Sequence, residues 1–203
     1  MDSRGAEQDL IEFGVAEAAL LGEPESGDVH LVAPHPRGVL VAAIDGLGHG
    51  GEAAEAARAA RAVLANDPGA ELSDLFNRAH RRLARSRGVV MSLASFEHGG
   101  KLTWLGVGNV EGTLVRAEEG TVRRTDSIML RGGVVGYQLP TLRPSTTVIE
   151  PGDILILATD GIGGGYIGEL DPAAAASVLA DRILGGFGRG GDDALVLVAR
   201  YVG

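Results

Sequence analysis

Cysteine is absent from the 203-residue chain. That removes disulfides, thiol nucleophiles and thiolate metal sites together, and it fits a reducing cytoplasm. Aromatic residues are scarce, four Phe, three Tyr and one Trp, so the core is expected to be built from Ala, Val, Leu and Ile. Long apolar runs are missing as well: Val39–Ile44 and Ile154–Ala158 are strand-sized, far short of the ~18 residues of a membrane helix. The opening MDSRGAEQDLIEF has no basic stretch followed by an apolar one, so no signal peptide is expected. Positive charge is in deficit, with 18 Lys plus Arg against 27 Asp plus Glu and a net charge of -9. That balance argues against general nucleic-acid binding, which depends on neutralising phosphates. The expectation is a cytoplasmic protein with neither membrane nor nucleic acid as partner, some of whose carboxylates surround a cation.

Glycine is plentiful: 32 residues is about twice the usual ~7%. No Gly-X-Y period accompanies it, so the excess belongs to turns and close packing. At ~150 residues per domain, the whole span 1–203 reads as one domain. Strand-like text in residues 9–20 is followed by strands at Val29–Ala33 and Val39–Ile44, joined by the turn PHPRG. The Ala-rich run EAAEAARAARAVLA predicts a helix stopped by Asn66, Asp67, Pro68 and Gly69. A second helix is expected over 71–85, with Leu72, Leu75, Phe76, Ala79 and Leu83 on one stripe. Further strands are expected at 89–96, 101–107, 110–117, 121–125, 145–149, 153–159 and 194–201, with a long loop over 126–144. A last helix is predicted from Asp171-Pro172 to near Gly185-Gly186. Strands clustered around two helical segments give an antiparallel α/β layered domain.

Four carboxylates stand at strand ends. Asp28 precedes one strand and Asp45 follows the next, and a hairpin centred on the PHPRG turn places the two opposite each other on one face. Asp160 follows ILILAT, and Asp192-Asp193 precede ALVLVA; if those strands are antiparallel neighbours, these acids also meet at one edge. A single aspartate at a strand end is usually a turn or capping residue. Turn chemistry does not require all of them to be acidic, and adjacent carboxylates repel unless a positive charge lies between them. Oxygen-only ligands select hard cations such as Mg²⁺ or Mn²⁺.

Gly46, Gly48 and Gly51 also satisfy G-x-G-x-x-G between an apolar strand and a helix, the dinucleotide-binding fingerprint. An oxidoreductase is therefore an alternative. Against it, a second helix follows where a Rossmann unit has its second strand, and Asp45 would set a negative charge near the pyrophosphate.

Asp45-Gly46-Leu47-Gly48-His49-Gly50, with SGD at 26–28, ATDGI at 158–162 and GDDALVLV at 191–198, resembles the metal-dependent protein phosphatases of type 2C, in the SpoIIE/RsbX-like branch. Gly106-Val107-Gly108-Asn109 and Gly133-Val134-Val135-Gly136 fit that branch too. The resemblance implies an α/β fold of α+β type, an antiparallel β-sandwich flanked by helices. It also implies two Mn²⁺ or Mg²⁺ ions at one end of the sheets and a phosphorylated regulatory protein of a bacterial stress or sporulation switch as substrate. By resemblance Asp45 bridges the ions, the Gly46 carbonyl helps hold one, and Asp160 and Asp193 hold the other. Asp28 contributes directly or through water, and Asp192 stands behind the ligands. A catalytically silent binding module on the same fold is a further alternative.

The segment Gly22-Glu23-Pro24-Glu25-Ser26-Gly27 lacks the arginine that many of the wider family carry ahead of the first Asp. Weak activity on small aryl phosphates relative to a phosphoprotein is the expectation. His49 is either the general acid for the leaving serine or threonine oxygen or a turn residue at the helix start. Arg81, Arg82, Arg85 and Arg87 read as a solvated helix end or a partner-docking patch, and residues 161–170 as a loop or flap beside Asp160.

Overall fold

The computed structural model describes residues 10–117 and 124–203. One sheet holds β1 (Ile11–Ala18), β6 (Glu111–Val115), β7 (Thr125–Ser127), β9 (Ile154–Ala158) and β10 (Ala194–Tyr201), in the order β1-β10-β9-β6-β7. The other holds β2 (Asp28–His35), β3 (Gly38–Gly46), β4 (Val89–Glu97), β5 (Lys101–Val107) and β8 (Ser145–Val148), in sequence order. All strand pairs in both sheets are antiparallel. Helices α1 (Gly51–Asn66) and α2 (Leu72–Leu83) cover the second sheet, and α3 (Ala176–Phe187) covers the first. The result is the helix-flanked β-sandwich.

The unbroken apolar runs follow from this layering, because a central strand is buried on both faces. In β3, Val39, Val41 and Ala43 enter the core between the sheets, while Leu40, Ala42 and Ile44 pack against α1 and α2. In β10, Leu195, Leu197 and Ala199 face the inter-sheet core, and Ala194, Val196 and Val198 face α3. The five apolar residues expected on one stripe of α2 are its buried set. Helix α1 buries methyl groups, Ala53, Ala54, Ala56, Ala57 and Ala60. This lets it lie so close to β3 that a Cβ on Gly46 would fall 2.1 Å from the Ala53 carbonyl oxygen.

Two readings are corrected and one lies mostly outside the described residues. The last helix begins at Ala176, not at Asp171-Pro172. Asp171 instead caps a turn, its side chain accepting the Ala173 N–H at 3.1 Å. The helix is capped from β1, where Glu12 accepts the Ala176 N–H at 2.7 Å and is held by Arg200 at 2.6 Å. A cap supplied by a distant strand leaves no local signature. The expected strand 121–125 lies mostly outside the described residues, and β7 starts at Thr125. The dinucleotide reading fails on topology: β3 is flanked by β2 and β4, both antiparallel, and α1 leads into α2 rather than into a parallel strand.

At one end of the sandwich Arg116 ties the sheets together. Its guanidinium reaches Asp126 at 2.6 Å, Asp153 at 3.0 Å and the Val148 carbonyl at 2.7 Å. The strand ends that carry the candidate acids lie at the opposite end.

Candidate active site

Asp28 and Asp45 are direct partners in the β2–β3 register, as the hairpin arithmetic requires. The assumed neighbour relation of the later strands also holds: β9 and β10 pair antiparallel with Ala158 opposite Val196. Asp160 and Asp192-Asp193 therefore meet at one edge. Each sheet brings acids to the same end of the sandwich.

A cleft of about 300 Å³ opens there, lined by Asp45, Asp160 and Asp192 together with Gly48, His49 and Asn109. Asp28 is 4% exposed and accepts a hydrogen bond from the Thr159 hydroxyl at 2.7 Å. The same Thr159 oxygen accepts the Leu195 N–H at 2.8 Å, so one side chain ties β9 and β10 to an acid of the facing sheet. Asn109, in the turn between β5 and β6, donates to Asp160 at 2.6 Å. Gly46 ends β3 and donates its N–H to the Gly27 carbonyl at 3.1 Å.

Asp192 and Asp193 divide their work. Asp193 is buried, and both of its oxygens accept backbone N–H groups, Leu20 and Gly27, each at 2.8 Å. It pins the segment that leads into Asp28. Asp192 is exposed and lines the cleft. His49 is exposed at the cleft, and its Nδ1 lies 2.7 Å from Glu23. Of the remaining histidines, His30, His35, His80 and His98 do not line it.

The electrostatics are unbalanced. Burial, then the neighbouring acids, push Asp45 up to about 8. Burial pushes Asp28 up to about 7 against the lowering effect of the Thr159 hydrogen bond, with Asp193, Asp160 and Asp192 adding to the rise. Among the described residues no Arg or Lys forms an ion pair with Asp28, Asp45, Asp160 or Asp192. Clustered carboxylates without a counter-charge are the donor set of a hard cation. Among the described residues no three His, Asp or Glu side chains already lie together as a metal-ion site.

Sequence reasoning gave Thr159, Asn109 and Glu23 no role, and it named Asp193 among the metal-holding acids with Asp192 behind it; the structure lines the cleft with Asp192 and engages Asp193 with backbone N–H groups. Strand alternation carried a signal for the last, since adjacent residues turn to opposite sides.

The family model for Stage II sporulation protein E (SpoIIE) matches residues 35–202. No curated protein matches the sequence. A chain solved in work on the bacterial stressosome, a modular system adapted to control secondary messenger signaling, is 30% identical with a TM-score of 0.85, over 94% of this chain and 99% of that one. RsbX in complex with magnesium shares the fold at 19% identity and a TM-score of 0.83, over 94% and 95% of the two chains. The catalytic domain of the serine/threonine phosphatase PstP, in complex with two manganese ions, does so at 19% identity and a TM-score of 0.70, over 95% and 99%. The family match over most of the length, on this sandwich and with these acids at its end, makes the chain a member of the SpoIIE family, a serine/threonine protein phosphatase of the PP2C type.

Proposed function

We propose that this phosphatase hydrolyses phosphoserine or phosphothreonine on a regulatory protein partner, with two Mn²⁺ or Mg²⁺ ions seated among Asp28, Asp45, Asp160 and Asp192. The observation that carries the reading is the opposed pair of buried Asp28 and half-buried Asp45, both raised well above the carboxylate range and, among the described residues, without an Arg or Lys ion pair to offset them. Ions bound there acidify a water and screen the charge that builds on the phosphoryl oxygens. Asp45 and the Gly46 carbonyl would hold the ions from β3, and Asp160 and Asp192 from the other sheet. Asp28 contributes from behind them. Asn109 fixes the Asp160 carboxylate, and Asp193 acts as a positioning residue by anchoring Leu20 and Gly27. His49 protonates the departing serine or threonine oxygen, with Glu23 orienting its ring through Nδ1.

A stress or sporulation switch as the setting is supported by the stressosome and RsbX relatives. A cytoplasmic location fits a cysteine-free chain, and no helix among the described residues is long and apolar enough to cross a membrane. The test is calorimetric titration of chelator-stripped protein with Mn²⁺, beside Asp45→Asn, with phosphoserine-peptide hydrolysis in the same samples. Binding and hydrolysis in the parent and neither in the variant is the expected result; no binding at millimolar Mn²⁺ overturns the reading.

A further inference from the structure

A cavity outside the cleft lies between α1 and the end of α2. It measures about 440 Å³ and is lined by Ala56 and Ala59 with Arg82, Arg85 and Arg87, and also by Glu52 and Glu55. A second cavity of about 310 Å³ shares Ala59 and Arg82 with it and reaches Arg78. Together they form one furrow with a methyl floor and an arginine rim. Arg87 is paired with Glu52 at 2.6 Å and Arg78 with Asp67 at 2.7 Å. Arg82 and Arg85 are exposed and have no ion pair among the described residues.

The furrow adjoins the cleft through Arg87. The Arg87 guanidinium lies so near Gly48, a residue of the cleft wall, that a Cβ there would sit 2.6 Å from its Nη1. A chain of net charge -9 with carboxylates around its cleft repels an acidic substrate everywhere except where cations gather. Arg82 and Arg85, unpaired in the furrow that Arg87 joins to the cleft wall, supply that exception, and complementary charge steers encounter and selects partners. The furrow has no aromatic lining on which bases could stack, which favours a protein segment over a nucleic acid.

We infer that the α1–α2 furrow docks an acidic segment of the phosphoprotein substrate, with Arg82 and Arg85 taking its carboxylates while the phosphorylated residue enters the cleft. The inference rests on the phosphatase reading for what is docked, but not for the docking itself. The test is fluorescence anisotropy of labelled phosphoserine peptides that carry a glutamate tract or the same tract as glutamine, with the parent protein and Arg82→Gln/Arg85→Gln. Both positions are exposed, and unchanged melting with unchanged hydrolysis of a small aryl phosphate shows that the variant is intact. The glutamate peptide is expected to bind the parent about tenfold more tightly, with the preference falling as salt rises and vanishing in the variant. Equal affinity for the two peptides, a preference that survives in the variant, or tighter binding of single-stranded RNA overturns the proposal. Arginine-dependent binding without hydrolysis in Mn²⁺ upholds the furrow and faults the phosphatase reading instead.

Discussion

The Thr159 hydroxyl donates to Asp28 at 2.7 Å while accepting the Leu195 N–H at 2.8 Å, so a single buried oxygen links the two sheets at the carboxylate end. Thr159→Val removes both bonds and keeps the shape. It is expected to cost about 1–3 kcal/mol of stability, because the Leu195 N–H and Asp28 lose a buried partner. Mn²⁺ affinity should fall about tenfold, in the range seen when groups that orient metal ligands are lost. Urea unfolding and calorimetry measure the two effects; wild-type values in both would show that the bond positions nothing.

The metal-free protein should lose stability as pH rises. Asp28 and Asp45 hold their protons up to about 7 and about 8 in the folded state, against ~3.9 in an unfolded chain. Their contribution is fully present below the unfolded value and disappears as pH passes through the folded values. Denaturant midpoints measured in EDTA should fall between about pH 5 and about pH 9, by an amount on the order of a few kcal/mol at most. Mn²⁺ competes with those protons, so its stabilising effect should grow over the same range. A metal-free stability that rises with pH would contradict the assignment.

Asp192→Asn and Asp193→Asn should separate. The first removes a cleft carboxylate that is exposed, and is expected to lower Mn²⁺ affinity and turnover with little change in melting temperature. The second disturbs the acceptor of the Leu20 and Gly27 N–H groups, and should destabilise by about 1–2 kcal/mol. Comparable melting temperatures in the two variants, with the larger loss of Mn²⁺ binding in Asp193→Asn, would reverse the roles given to them.

Leaving-group dependence tests the Glu23–His49 pair. Protonation of the departing oxygen matters most when that oxygen is a poor leaving group. His49→Ala should therefore slow phosphoserine-peptide hydrolysis by about 10²-fold and leave aryl phosphates with acidic phenols nearly unaffected. Glu23→Gln should show the same bias to a smaller degree. Uniform slowing of both substrate classes would leave the pair a purely structural role.

Much of the site was legible because its geometry is local. The pairing of Asp28 with Asp45 follows from the length of one hairpin, and the apolar runs before Asp160 and after Asp193 mark central strands. Contacts between distant segments left no such trace. Thr159 meets Asp28 only after the sheets pack, and Asn109 meets Asp160 across the turn between β5 and β6. Glu12 caps α3 from the far end of the sequence. Which of Asp192 and Asp193 faces the cleft turns on which carboxylate the Leu20–Gly27 segment claims, a matter of tertiary hydrogen bonding.

Strand β1 lies beside β10, with Ile11 opposite Tyr201, so one sheet is completed by joining segments from opposite ends of the described chain. Closing so wide a loop carries an entropic penalty that local contacts cannot offset early. The carboxylates inherit that timing: Asp28 and Asp45 can be set by their own hairpin, whereas Asp192 takes its place only when β10 docks. A nascent chain would hold only the β2–β3 half of this carboxylate cluster until nearly all of these residues had left the ribosome, and, on the proposed reading, catalytic competence would arrive late and abruptly.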